Sequence, residues 1–163
     1  MPHLDAAYRF ARWLSGAASD ADDLLQEAML RAFRAFDGLR GADAKAWLLA
    51  IVRNCHYTAL QQRRGTVPLP QEYLETAVAS QGDPESESLA RDEQRLCARL
   101  LAALAAEHRE VLVLREVEDM SYREIATVTQ LPIGTVMSRL ARARVALRER
   151  WLAEAQGGSR AVR

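Results

Sequence analysis

Ser138, Arg139, Arg142 and Arg144, with Met137 before them and Ala141 between, form a dense run of hydrogen-bond donors. Guanidinium groups are rigid forks of N–H donors that fit phosphate oxygens and base edges. The chemistry such a run suits is recognition of a polyanion rather than bond-making. At about 100° per residue, Met137, Ser138, Ala141, Arg142 and Val145 share one side of a helix, and Val136, Leu140, Ala143 and Leu147 form the opposite apolar stripe. Arg139 and Arg144 flank that stripe, where they would meet backbone phosphates rather than bases. A solvated arginine-rich helix in an ordinary bundle has the same composition, so its neighbours must decide.

Those neighbours have the form of a helix-turn-helix. Ser121 with Glu124 has the spacing of a capping box, which predicts a helix start. Ile125 and Ala126 supply an apolar contact and a close approach. Gln130-Leu131-Pro132 interrupts the pattern, because proline lacks an amide donor and restricts the residue before it. After Gly134, Thr135 is placed to cap the second helix. In such a motif the second helix enters the major groove of duplex DNA.

A second candidate surface lies near residue 54. A helix from Ala44 to Arg64 is expected to turn Trp47, Leu48, Ile51, Cys55 and Ala59 inward. Arg53, Asn54, Tyr57, Gln61 and Arg64 then share the other side, with Ala46 and Ala50 above them. Cations, an amide and a flat ring together suit single-stranded nucleic acid, whose phosphates and unstacked bases they can engage. An exposed helix face with one tyrosine on it is the plainer alternative. A third candidate is Asp23, Gln26 and Glu27, on the polar side of a helix expected to be capped by Asp20 and to run to Phe36. Leu24, Leu25, Ala28, Met29, Ala32, Phe33 and Phe36 would be its apolar stripe. Taken alone, its acidic start only complements the helix dipole.

The elements that must position these groups are helices. Of 163 residues, 49% are hydrophobic and 27% charged, alanine, leucine and arginine dominate, and Lys45 is the only lysine. The expected fold class is all-α: two small helical domains joined by a flexible acidic linker. Residues 1–64 form the first domain, 65–91 the linker, 92–155 the second domain and 156–163 a disordered tail. The linker rests on Pro68, Pro70, Gly82 and Pro84 among Glu72, Glu75, Asp83, Glu85 and Glu87. The second domain begins with helices at Asp92–Ala106 and Arg109–Val117, the platform for the helix-turn-helix. Formal net charge is +0, yet from Leu131 onward seven arginines face only Glu149 and Glu154. Cys55 and Cys97, and His3, His56 and His108, lack the spacing of metal ligands or a nucleophilic site, so no metal, cofactor or enzymatic activity is expected. No apolar run approaches the ~20 residues of a membrane span, and a cytoplasmic chain without membrane insertion is expected.

These segments together resemble the extracytoplasmic-function (ECF) sigma factors, which retain sigma regions 2 and 4. The resemblance rests on AYRFARWLSGAASDADDLLQEAMLRAFRAFDGLRG and AWLLAIVRN, followed by LLAALAAEHREVLVLREVEDMSYREIATVTQLPIGTVMSRLARAR. It implies transcription initiation with core RNA polymerase and promoter DNA as partners, contacts with the β′ clamp helices and the β flap, and a cognate anti-sigma factor. By this likeness Asp23, Gln26 and Glu27 bind the clamp helices. Asn54, with Leu39, Arg40, Arg53, Tyr57 and Arg64, serves the −10 element, and Leu39 to Asp43 form the loop around its flipped base. Met137, Ser138, Ala141 and Arg142 would read the −35 element, with Arg139 and Arg144 on its backbone. The family often has a basic residue where Met137 stands. A conventional operator-binding regulator shares the helix-turn-helix pattern, but would have no use for the Asp23 and Asn54 faces.

Overall fold

The computed structural model describes residues 2–39, 43–63 and 84–160. All of the regular structure among them is helical. The first block holds α1 (Leu4–Ser15), α2 (Ala18–Arg34), a 3-10 turn (Phe36–Gly38) and α3 (Ala44–Arg63). The second holds α4 (Pro84–Ala102), α5 (Ala106–Leu112), a π-helical turn (Val113–Val117), α6 (Tyr122–Thr129) and α7 (Ile133–Arg160).

Small side chains let the first three helices pack closely. Ala7, Phe10 and Ala11 of α1, Ala21, Ala28 and Ala32 of α2, and Leu49 and Val52 of α3 are fully buried together. Gly16 ends α1 at φ 78°, a left-handed conformation that costs glycine little, and its amide donates to the Arg12 carbonyl. α2 begins at Ala18 without a side-chain cap, so Asp20 is not its N-cap; Asp20 instead pairs across to Arg63 at 3.6 Å. Phe33 and Phe36 are not in the core either: they are 83% and 56% exposed. Phe33 sits about 140° around the helix from buried Ala28, too far to share its stripe.

The apolar residues of α3 divide between two sides. Ala46, Leu48, Leu49, Val52 and Cys55 are buried, while Trp47, Ile51 and Ala59 are half-buried. Burial extends to Ala46, Leu49 and Val52 because α3 packs against α1 and α2 and also against α6 of the second block. α1 also touches α5 and the π-helical turn. One continuous set of buried residues therefore runs from Phe10 and Leu49 to Val113, Ile125 and Leu140. The two helical blocks, expected as two small domains joined by a linker, also pack directly on each other along this set.

Boundaries differ as well: α4 ends at Ala102 and not Ala106, and α5 starts at Ala106 and not Arg109. Residues 65–83 of the expected linker lie outside the described residues, but α4 starts at Pro84, so 84–91 are helix and not linker. Proline at a first helical position loses no hydrogen bond, and helix formers follow it. α7 runs through residues 156–160, which were expected to be tail, because extending a long helix needs no new nucleus. It starts at Ile133 rather than after a Thr135 cap, with the Pro132 carbonyl accepting from the amides of Thr135 and Val136 at 2.9 and 3.1 Å.

Candidate nucleic-acid and polymerase interface

The helix-turn-helix is built as its residues dictate. The Ser121 hydroxyl accepts from the Glu124 amide at 3.2 Å, and the Glu124 carboxylate accepts from the Ser121 amide at 2.6 Å. This closes the capping box. Gln130 ends α6 in the left-handed region at φ 57°. Val136, Leu140 and Ala143 of α7 are fully buried and Leu147 half-buried, against a platform of Val111, Leu112, Val113 and Leu114. α7 packs on α5 and α6. Met137, Ser138, Ala141, Arg142 and Val145 consequently face outward, all exposed. Arg142 donates to the Ser138 carbonyl and hydroxyl, both at 3.3 Å, which holds its guanidinium along the outer face. Arg144 pairs with Glu116 at 2.9 Å and Arg139 with Glu107 at 3.6 Å. Exposed pairs of this kind are worth little and yield readily to a phosphate.

On α2, Asp23, Gln26 and Glu27 are all exposed. Glu27 accepts from Arg31 Nε at 2.7 Å, one turn on. Leu30 (55% exposed) and Phe33 extend this face, giving a mixed acidic and apolar surface. Phe33, unlike Leu30, was expected in the apolar stripe, although its angular position argues against that.

The α3 face is only partly open. Asn54 is exposed, whereas the Arg53 side chain is 17% exposed and Tyr57 is half-buried. The Arg53 guanidinium lies 4.6 Å from the Tyr57 ring centroid, and His56 meets that ring edge-on at 5.4 Å. What covers Arg53 is Glu110 of α5, which accepts from Nε at 2.6 Å and Nη2 at 3.3 Å. Burial pushes the Glu110 carboxyl above its ordinary range, against the pull of Arg53. Burial, and then the charges of Arg109, Arg63 and Arg53, lower His56 to about 4. Beside them, Phe10, Trp13, Tyr57 and Val113 line a cavity of about 40 Å³.

Leu39 is half-buried, just after the 3-10 turn. Asp43 caps α3, and the Ala46 amide donating to it at 2.9 Å holds its carboxyl below the usual range. Arg40 and Arg64, both assigned to strand binding, lie outside the described residues, as do Gly41 and Ala42. Glu110 and Glu118 were missed. Glu110 opens the apolar run EVLVL, the available sign that it would need a buried partner, whereas Glu118 lies in the acidic EVED and carries no such sign.

An all-α chain with a capped helix-turn-helix, an outward basic second helix and a polar face on α3 has the architecture of a DNA-binding transcription protein. Residues 1–66 match the Sigma-70 region 2 model and residues 95–147 the Sigma-70 region 4 model. Over 139 residues the chain is 34% identical to the ECF RNA polymerase sigma-E factor of Escherichia coli, covering 80% of this chain and 73% of that one. It is 37% identical over 153 residues to the ECF RNA polymerase sigma factor SigE of Mycolicibacterium smegmatis. That match covers 90% of this chain but 58% of the longer relative. Among solved structures, the sigma factor RpoE of Bartonella quintana, in complex with the anti-sigma factor NepR, matches with a TM-score of 0.74 and 28% identity over 91% of both chains. CnrH, in complex with the cytosolic domain of CnrY, matches with a TM-score of 0.64 and 26% identity, over 94% of this chain and 83% of that one. The chain belongs to the ECF family of RNA polymerase sigma factors.

Proposed function

We propose that this chain is the initiation subunit that brings core RNA polymerase to a restricted set of promoters. The observation that carries the proposal is the pairing, in one family member, of an outward recognition helix with an exposed polar face on α2. Asp23, Gln26 and Glu27, continued by Leu30 and Phe33, dock on the β′ clamp helices, and the second block engages the β flap. Ser138 and Arg142 contact base edges of the −35 duplex. Met137 offers an apolar contact suited to a thymine methyl, and Arg139 and Arg144 contact phosphates. Asn54 takes an unpaired base of the −10 element while Arg53, Tyr57 and the loop after Leu39 hold the strand around it.

The mechanism is binding. Phosphate neutralisation by α7 supplies a salt-sensitive share of affinity on duplex DNA. Capture of a flipped base offsets an unstacking cost of about a few kcal/mol, and polymerase fixes the distance between the two contacts. The chain itself makes and breaks no bond. Its proposed partners, core polymerase and promoter DNA, put its work in the cytoplasm. Because RpoE was solved with the anti-sigma factor NepR, a cognate anti-sigma factor is proposed here too. Run-off transcription with purified core polymerase tests the proposal. Discrete start sites that depend on this chain support it; none on any genomic template contradicts it.

A further inference from the structure

Among the described residues the buried charged side chains are Glu110 and Glu118, 2% and 3% exposed, and both belong to the second block. Every ion pair they make crosses to the first block. Glu110 accepts from Nε and Nη2 of Arg53. Glu118 takes Arg9 through two bonds of 2.9 and 3.0 Å, and Lys45 lies 3.4 Å from its other oxygen. The Glu118 backbone carbonyl accepts from Lys45 as well. The π-helical turn aims this carboxylate: the Glu118 amide reaches back to the Val113 carbonyl, and Asp119 follows at φ 52°.

A buried carboxylate satisfied within its own block would stay satisfied when the blocks part. These two would not. Separated, each must be rehydrated, which a solvent-facing carboxylate achieves readily, so the contact is built to be both specific and reversible. The cation at its centre, Arg53, sits beside Tyr57 on the face proposed above for single-stranded DNA, and its Nε–Nη2 edge, held on Glu110 with the side chain only 17% exposed, takes no phosphate until that carboxylate leaves.

We propose that α5 and the π-helical turn form an internal cover for that strand-binding face. Glu110 stands where a strand phosphate would stand, Glu118 fastens the edge through Arg9 and Lys45, and the free chain is held shut until the two blocks are drawn apart. Asn54 remains exposed in the closed form, so the cover acts on Arg53 and Tyr57. The inference rests on the strand-face reading of α3.

The test is the full chain with Glu110→Gln and Glu118→Gln together, and with Glu118→Gln alone as a milder variant should the pair fold poorly. Circular dichroism checks helix content, small-angle scattering gives the radius of gyration, and fluorescence anisotropy gives affinity for a single-stranded oligonucleotide. Because apparent affinity scales with the fraction of open molecules, the double variant should bind about tenfold more tightly or better. It should also be larger in scattering, and adding Arg53→Ala should abolish the gain. An unchanged radius with unchanged affinity overturns the cover. An enlarged radius without tighter binding shows that the face it hides is not a strand site, which overturns the inference through the strand-face reading instead.

Discussion

Arg53 of α3 and Glu110 of α5, 57 residues apart in the chain, form a two-bond ion pair in the interior where the two helical blocks meet. Its two ends are unequal: the Arg53 side chain keeps 17% of its surface while that of Glu110 keeps 1%. Removing the arginine therefore strands a buried charge, whereas neutralising the glutamate leaves a cation that can turn to water. Arg53→Ala should lower stability by about 3 kcal/mol, and Glu110→Gln by clearly less. Urea unfolding of the two variants side by side checks this order.

Acid should loosen the same region through His56. Its value is lowered from 6.5 to about 4 in the folded chain, by burial and then by Arg109 of α5 and Arg63 and Arg53 of α3. Glu110 and Tyr57 also line its cavity, while α1 contributes only the apolar or aromatic Phe10, Trp13 and Leu14. A depressed histidine contributes its full stability above pH 6.5 and loses it as pH falls toward 4, up to about 3 kcal/mol in all. Glu110, pushed up by burial, works in the opposite sense just above its ordinary range. Comparison with His56→Gln isolates the histidine: wild type should lose melting temperature more steeply than the variant between pH 6.5 and 4.

The capping box sets a local stability. Ser121→Ala removes the acceptor for the Glu124 amide and should cost about 1 kcal/mol. Thermal melting reads this directly. Duplex affinity should fall only in proportion to the unfolded fraction, since Ser121 does not lie on the outer face of α7.

Among the described residues Arg142 donates along α7, to Ser138, and it is exposed. Arg142→Ala should leave the melting temperature unchanged and weaken binding to a −35 duplex by about 1–3 kcal/mol. A competition assay at fixed salt measures it. Asn54→Ala should do the reverse: −35 duplex binding is retained, and permanganate reactivity of the −10 thymines in the polymerase complex is lost.

The sequence was most legible where a residue's role is local. The Ser121–Glu124 cap, the break at Pro132, the buried Val136, Leu140 and Ala143, and the outward Met137, Ser138 and Arg142 all follow from spacing along one helix. What escaped depends on distant chain. Ala46 was placed above the outer side of α3, and its burial follows only once α1, α2 and α6 pack on that helix. Glu110 and Glu118 read as acidic interruptions until Arg53, Arg9 and Lys45 arrive from the other block. Phe33 was drawn into the core by its hydrophobicity although its angle pointed outward. Asp20 was given a cap because aspartate commonly caps, yet an uncapped start at Ala17 prevailed.

The central claim is that the exposed α2 face docks on polymerase, and equilibrium binding to core enzyme lacking any initiation subunit tests it most directly. The wild-type chain should bind saturably. Glu27→Arg should weaken that binding by about tenfold or more, with no loss of fold beyond the few tenths of a kcal/mol of the Glu27–Arg31 pair. No measurable binding by the wild-type chain, or equal binding by the variant, would contradict it.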